Sequence, residues 1–274
     1  MGNKILVSVF DSEQAAFDGL TALKDLHWAG DITLYASSVI AKDSSGVVSI
    51  RQAADRGPVG TVAGIVTGGL VGLLGGPVGV AVGAYVGGFG GLMYDLYNAG
   101  VSTDFVDEVS ASLTPGKAAV VADVDETWVT PVDTRIGALG GTTFRRFPDE
   151  IVDKELIRET ESARKELEQL RAELRESSHE AKANVEKAID AQRRKRGALV
   201  DRCDKALGQE KAEFGARLAT LHEQQGKARE SQKQRIDARI DELKASHAAR
   251  KAKLEEARRL AKESIEATRE ALVP

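Results

Sequence analysis

Residues 57–94 read GPVGTVAGIVTGGLVGLLGGPVGVAVGAYVGGFGGLMY, a stretch of 38 residues without a charge, bounded by Arg56 and Asp95. Fourteen of the 38 are glycine, and they fall on two stripes of period four: Gly60, Gly64, Gly68, Gly72 and Gly76, then Gly75, Gly79, Gly83, Gly87 and Gly91. Gly76-Pro77 between the stripes is a turn signal, with Pro77 suited to the first turn of a second helix. The pattern predicts a helical hairpin of the glycine-zipper kind. Each glycine costs a helix roughly 1 kcal/mol relative to alanine, so the hairpin would be unstable in water by something on the order of ten kcal/mol. Close approach of a second helix along the groove offsets this through dispersion and weak Cα–H···O contacts.

The other faces of the two helices are bulky. Val62, Val66, Leu70 and Leu73 lie away from the first stripe, and Tyr85, Phe89 and Met93 form a row on the second helix, so these positions are expected to face lipid while the glycines face partners. At 1.5 Å per residue each leg reaches about 27 Å, just under the ~30 Å of a hydrocarbon core. Two settings remain open, a membrane and the dry centre of a homo-oligomer. In both, the glycines are the self-assembly residues.

Working outward, KILVSVF (Lys4–Phe10) reads as a strand, and the following DSEQAAFDGLTALKDLHWAG places Ala16, Leu20, Leu23 and Leu26 at helical spacing behind a capping Asp11 or Ser12. Ile32–Ala41 and Gly46–Arg51 are β-branched runs joined by the turn chemistry KDSSG. Beyond the glycine segment come a helix at Thr103–Leu113, a strand at Lys117–Val124, a helix at Val129–Leu139 and an edge strand at Thr142–Phe147. This order predicts an α+β ferredoxin-like domain, residues 1–56 and 95–147, interrupted by the hairpin at 57–94.

Composition changes at Pro148. Residues 1–147 carry 9 Lys/Arg against 15 Asp/Glu, a net of −6, whereas 148–274 carry 29 against 27. After Pro148 the second part lacks proline until Pro274 and is rich in Ala, Glu, Lys, Arg, Leu and Gln, so it predicts a long α-helical, coiled-coil-like tail over 148–274. Its apolar stripe runs through Leu167, Leu170, Leu174, Ala181, Val185 and Ala188, and again through Ile236, Ile240, Leu243, Leu254, Ala257, Ala261 and Ile265. A turn near Gly208 would fold it into a helical hairpin able to bind another protein. The consecutive Arg193, Arg194, Lys195 and Arg196 encircle a helix and are candidates for contact with an anionic partner, ion pairing with neighbouring acids being the plainer reading.

Chemistry is sparse. No phosphate-binding glycine motif occurs, since Gly116-Lys117 is followed by alanine. His27, His179, His222 and His247 are scattered without metal-ligand spacing and read as solvated helix positions. Asp123, Asp125 and Glu126 could hold a cation or act as acid and base, but read more simply as a negatively charged turn. Trp28 and Trp128 are expected to pack at the core or its edge. A lone Cys203 fits a reducing compartment, and Met1–Phe10 lacks the apolar run of a signal peptide. The charge balance argues against nucleic acid. No catalytic residue, cofactor or metal is assigned.

Taken in order, ILVSVF, DSEQAAFDGLTAL, GVVSI, the glycine hairpin, LTPGKAAVVADV and GALGGTTFRRF resemble the bacterial domain of unknown function 1269 family, labelled predicted membrane proteins, over residues 1–147. The resemblance implies a ferredoxin-like domain with a membrane-associated hairpin and supplies no activity or catalytic residue. It departs at Pro148. The expectation is a non-enzymatic homo-oligomeric scaffold at the bacterial inner membrane with its soluble parts on the cytoplasmic side; alternatives are a channel or pore built from the same hairpins, and a soluble cytoplasmic oligomer serving as a stress-response or ligand-binding module.

Overall fold

The computed structural model describes residues 4–54, 103–146, 151–176 and 179–270. Both glycine stripes, Gly60–Gly76 and Gly75–Gly91, and the bulky Val62, Val66, Leu70, Leu73, Tyr85, Phe89 and Met93 lie outside the described residues. The chain divides into two compact units, Met1–Glu150 with Ala212–Lys244, and Ile151–Lys211 with Ala245–Pro274. Composition draws its boundary at Pro148, whereas packing assigns part of the tail to the first unit.

That unit is an α+β layer structure. Its elements are β1 (Lys4–Phe10), α1 (Glu13–Trp28), β2 (Ile32–Lys42), β3 (Val48–Ala54), α2 (Thr103–Ser112), β4 (Ala118–Glu126), α3 (Thr130–Ala138) and β5 (Thr142–Arg146). Each follows the sequence signals. Ser12 caps α1, its Oγ accepting the Ala15 N–H at 3.1 Å. The β2–β3 turn closes on Asp43, whose carboxylate accepts the Ser45 and Val47 N–H groups at 2.8 and 3.0 Å, with Gly46 at φ +86°.

The five strands lie in the order β3-β2-β4-β1-β5, every neighbouring pair antiparallel. It follows that β1 and β2 are parallel with β4 between them, linked by α1. Likewise β4 and β5 are parallel with β1 between them, linked by α3. Side chains alternate between faces along each strand. One face packs Leu6, Phe10, Val120 and Val124 under Leu20, Leu23 and Leu26 of α1 and Val132 and Ile136 of α3. Phe10 sits where backbones come closest, since a Cβ added to Gly19 or Gly141 would stand 2.3 or 2.5 Å from its ring. Alanine at either glycine would overpack the core, at a cost of typically 1–3 kcal/mol.

The second face is covered by two different things. Over Ile5, Val7, Val9, Ala119 and Val121 lies α2, burying Phe105, Val109 and Leu113. Further along the same face, Tyr35 packs with Leu221, Ile236 and Ile240 from the tail. These tail residues belong to α5 (His179–Lys227) and α6 (Glu230–Glu270). The chain therefore reverses at Ala228-Arg229, not near Gly208, where α5 continues unbroken. A single helical glycine costs about 1 kcal/mol, less than leaving the backbone groups of a break unsatisfied. At the true reversal Gln232 Oε1 accepts the Arg229 N–H at 3.1 Å, half of a capping box.

The second unit combines α4 (Ile151–Glu176) with parts of α5 and α6, so the tail holds three helices instead of two legs. Its core is as thin and alanine-rich as the sequence suggests: Leu156, Leu199, Cys203, Leu254, Ala257 and Ala261. Polar contacts flank it: Arg202 pairs with Glu159 at 2.6 Å, and Glu210 pairs with Arg250 at 2.5 Å and lies 2.9 Å from His247 Nδ1.

Candidate functional site

The buried charged residues of the first unit converge where β2 starts and β4 ends. On β4 the odd-numbered positions face α2 and the tail, so the apolar series Ala119, Val121 continues as Asp123 and Asp125. Asp123 is fully buried and receives both terminal nitrogens of Arg217, Nη2 to Oδ2 at 2.7 Å and Nη1 to Oδ1 at 3.4 Å. The same guanidinium lies 4.7 Å over the Tyr35 ring. Burial opposes the charge on Arg217, but Asp123, Tyr35 and Glu213 together outweigh it and hold the group above its ordinary range. Burial, reinforced by Asp125, likewise pushes the Tyr35 hydroxyl far above its usual range.

Two turns further along α5, the buried Gln224 donates to the carbonyls of His27 and Ile32 at 2.5 and 2.8 Å and accepts from the Thr33 hydroxyl at 2.8 Å. From α6, Arg239 donates to the carbonyls of Gly30 and Asp31 at 3.3 and 2.7 Å. The four acceptors run from the end of α1 to the first residue of β2, where the helix dipole ends negatively. The His27 carbonyl also accepts the Gly30 N–H at 3.0 Å, so the tail side chains add donors to this turn. Asp125, partly buried beside Arg239 and Glu242, has its carboxyl raised by desolvation despite the opposing pull of Arg239.

On the other face Glu126 is fully buried against Lys4 at 3.2 Å and Arg145 at 2.6 Å, and Arg145 also reaches Asp133 at 2.6 Å. The acidic trio at the end of β4 is therefore not a solvated turn. Asp123 and Glu126 spend their acceptor capacity on arginine and lysine, which fastens elements together and leaves no free pair for acid–base exchange. Among the described residues no group of three or more His, Cys, Asp or Glu is arranged to hold a metal ion.

Other sequence expectations change as well. His27 is buried, its Nδ1 accepting the Leu34 N–H at 3.2 Å, and so is not a solvated helix position. Trp28 and Trp128 stand 41% and 57% exposed, so neither belongs to the core. Of the basic run, Arg194 and Lys195 face solvent and Arg193 pairs with Asp190 at 3.2 Å. Arg196 is buried and donates to the Ala163 carbonyl, because 196 shares a helical face with the core positions Leu199 and Cys203. Cys203 is buried in that core, where desolvation raises its thiol.

Arg217, Gln224 and Arg239 were missed. Their only signal is polarity on the stripe that carries Leu221, Ile236 and Ile240, positions where a coiled coil ordinarily takes apolar residues.

Among the described residues no helix is long and apolar enough to cross a membrane. No curated protein and no solved structure matches the chain. The family match that is found takes in LTPGKAAVVADV and GALGGTTFRRF, leaves out ILVSVF, DSEQAAFDGLTAL and GVVSI, and runs past Pro148 into α4, further than the composition change suggested. Over residues 61–171 the chain matches the family described as Protein of unknown function (DUF1269), the one its motifs resemble.

Proposed function

We propose that this chain is a non-enzymatic scaffold that self-assembles into a membrane-associated homo-oligomer through its glycine stripes, with a ferredoxin-like α+β domain at the base of each hairpin. The observation that carries this reading is the course of the two elements bordering residues 55–102. Strand β3 runs from Val48, opposite Lys42, to Ala54, opposite Ser37, and so heads towards the sheet end where β2 begins. Helix α2 starts at that same end, since Phe105 lies beneath Arg146, the partner of Ile5 near the start of β1. It finishes at the opposite end, where Thr114–Lys117 leads into β4. A chain that leaves and returns at one end of a domain suits a hairpin whose flanks stay on one side of a bilayer.

The ferredoxin-like assignment is supported by the two interleaved β-α-β units, with β3 as an added edge strand. The scaffold assignment is supported by the use to which the buried charges are put. Arg217, Gln224 and Arg239 fasten the tail segment 212–244 to the sheet, making the tail part of the domain's architecture.

Flotation of the full chain through a density gradient with phosphatidylcholine–phosphatidylglycerol vesicles tests the membrane half of the reading. Recovery with the floating lipid is expected. Recovery of all the protein at the bottom of the gradient would refute it.

A further inference from the structure

We propose that the sheet end bearing Trp28 and Trp128 is a lipid-headgroup contact surface, which rests on the membrane reading above and assigns it a docking face. Five large hydrophobic side chains are exposed among the described residues, and three of them, Trp28, Trp128 and Val129, sit at two adjoining loops, Trp28 as the last residue of α1 before one and the other two within the second. The loops adjoin because Ile32, four residues after Trp28, pairs with Glu126, two residues before Trp128. The other two, Ile50 and Leu139, lie on the edge strand and past the end of α3.

The occupant is indicated by where the uncharged stretch joins the domain. Ala54 and Thr103, the last and first described residues on either side of it, border elements that point to this same end, so a hairpin inserted in a bilayer would bring these tryptophans to the headgroup level. Tryptophan favours that level because its ring is apolar and its N–H is satisfied there. Basic groups accompany both rings. Lys227 Nζ stands 4.5 Å over Trp28, and Arg135 shares with Trp128 and Pro131 a shallow groove of about 450 Å³. Lysine and arginine beside interfacial aromatics suit lipid phosphates.

The chain contains two tryptophans in all, so Trp28→Phe leaves Trp128 as the sole indole and Trp128→Phe leaves Trp28. Each full-length variant is mixed with the vesicles used for flotation, containing phosphatidylcholine brominated either near the headgroup or near the chain terminus. The expected result is loss of emission from both indoles, stronger with the shallow bromines, together with a blue shift. Protein that floats with the vesicles but keeps its full emission would overturn this proposal while leaving the membrane reading intact. It would point instead to a protein partner as the occupant of the patch. Protein that does not float would overturn both. Quenching stronger with the deep bromines would likewise overturn the headgroup assignment.

Discussion

The two halves of one sheet face are held by different physics. Under α2 the buried contacts are apolar: Phe105, Val109 and Leu113 on Ile5, Val7, Val9, Ala119 and Val121, with the Arg146–Glu108 pair at the exposed edge. Under the tail, a few residues along the same strands, the sheet presents Thr33, Tyr35, Asp123 and Asp125 to Arg217, Gln224 and Arg239. The first half tolerates any helix of suitable volume, because burial of hydrophobic area has no direction. The second accepts one register of one segment, because a helix displaced by a residue would leave a buried carboxylate and several carbonyls unpaired. The difference suits their origins. Segment α2 enters its site a few residues before β4, whereas Arg217 meets Asp123 across 94 residues of sequence, where only specific partners distinguish the right docking from many similar helical faces.

This contrast can be broken most severely at Arg217. Arg217→Ala strands the charge of a fully buried Asp123 and is expected to cost about 3–5 kcal/mol. The combined Asp123→Leu, Arg217→Met change is expected to cost much less. Denaturant unfolding read by tryptophan emission checks this, since both tryptophans belong to the first unit. Equal losses in the single and combined variants would contradict the directional account. In the apolar half, Leu113→Ala is expected to lose about 3 kcal/mol through transfer and cavity terms, with no dependence on salt. A loss that shrank in concentrated salt would blur the distinction. Gln224→Ala should then cost about 1–3 kcal/mol by removing the amide donor to the His27 and Ile32 carbonyls and the acceptor of the Thr33 hydroxyl.

The smallest effect is expected at Asp125, and its sign is set by burial. Because desolvation raises its pKa in the fold, the folded chain holds this proton more firmly than the unfolded chain. The contribution to stability is complete below the ordinary carboxylate range and is lost as pH rises through the raised value. Asp125→Asn should therefore melt higher than the parent at neutral pH, the gap closing towards acid. A gap that stayed constant across that range would show that Asp125 does not titrate as its burial dictates.

Much of this was legible in the sequence. All five strands and the three helices among them carry their own signals: the short apolar run in KILVSVF, the Ser12 cap, the KDSSG turn and the Thr114-Pro115-Gly116 stop. Those signals are local. The docking of residues 212–244 was not legible, because periodicity shows which face of a helix is buried and not against what. Pairing of Arg217 with Asp123 depends on distance in space, which no spacing rule contains. The tail reversal was misplaced because Gly208 looks like a breaker, whereas Ala228-Arg229 carries no glycine and is marked mainly by the Gln232 side chain. Trp28 and Trp128 end up exposed because one is the last residue of α1 and the other lies two residues past β4, outside the buried stripe of either element.

Assembly through the glycine stripes is the central claim, and mass in solution tests it most directly. Full-length chain in mild detergent, measured by multi-angle light scattering, is expected to run as a homo-oligomer. The Gly68→Leu, Gly83→Leu variant is expected to fall to lower mass, because leucine fills the groove through which the helices meet. The tryptophan-monitored unfolding of its first unit should be unchanged. A parent that is already monomeric, or a variant of the same mass as the parent, would contradict the account.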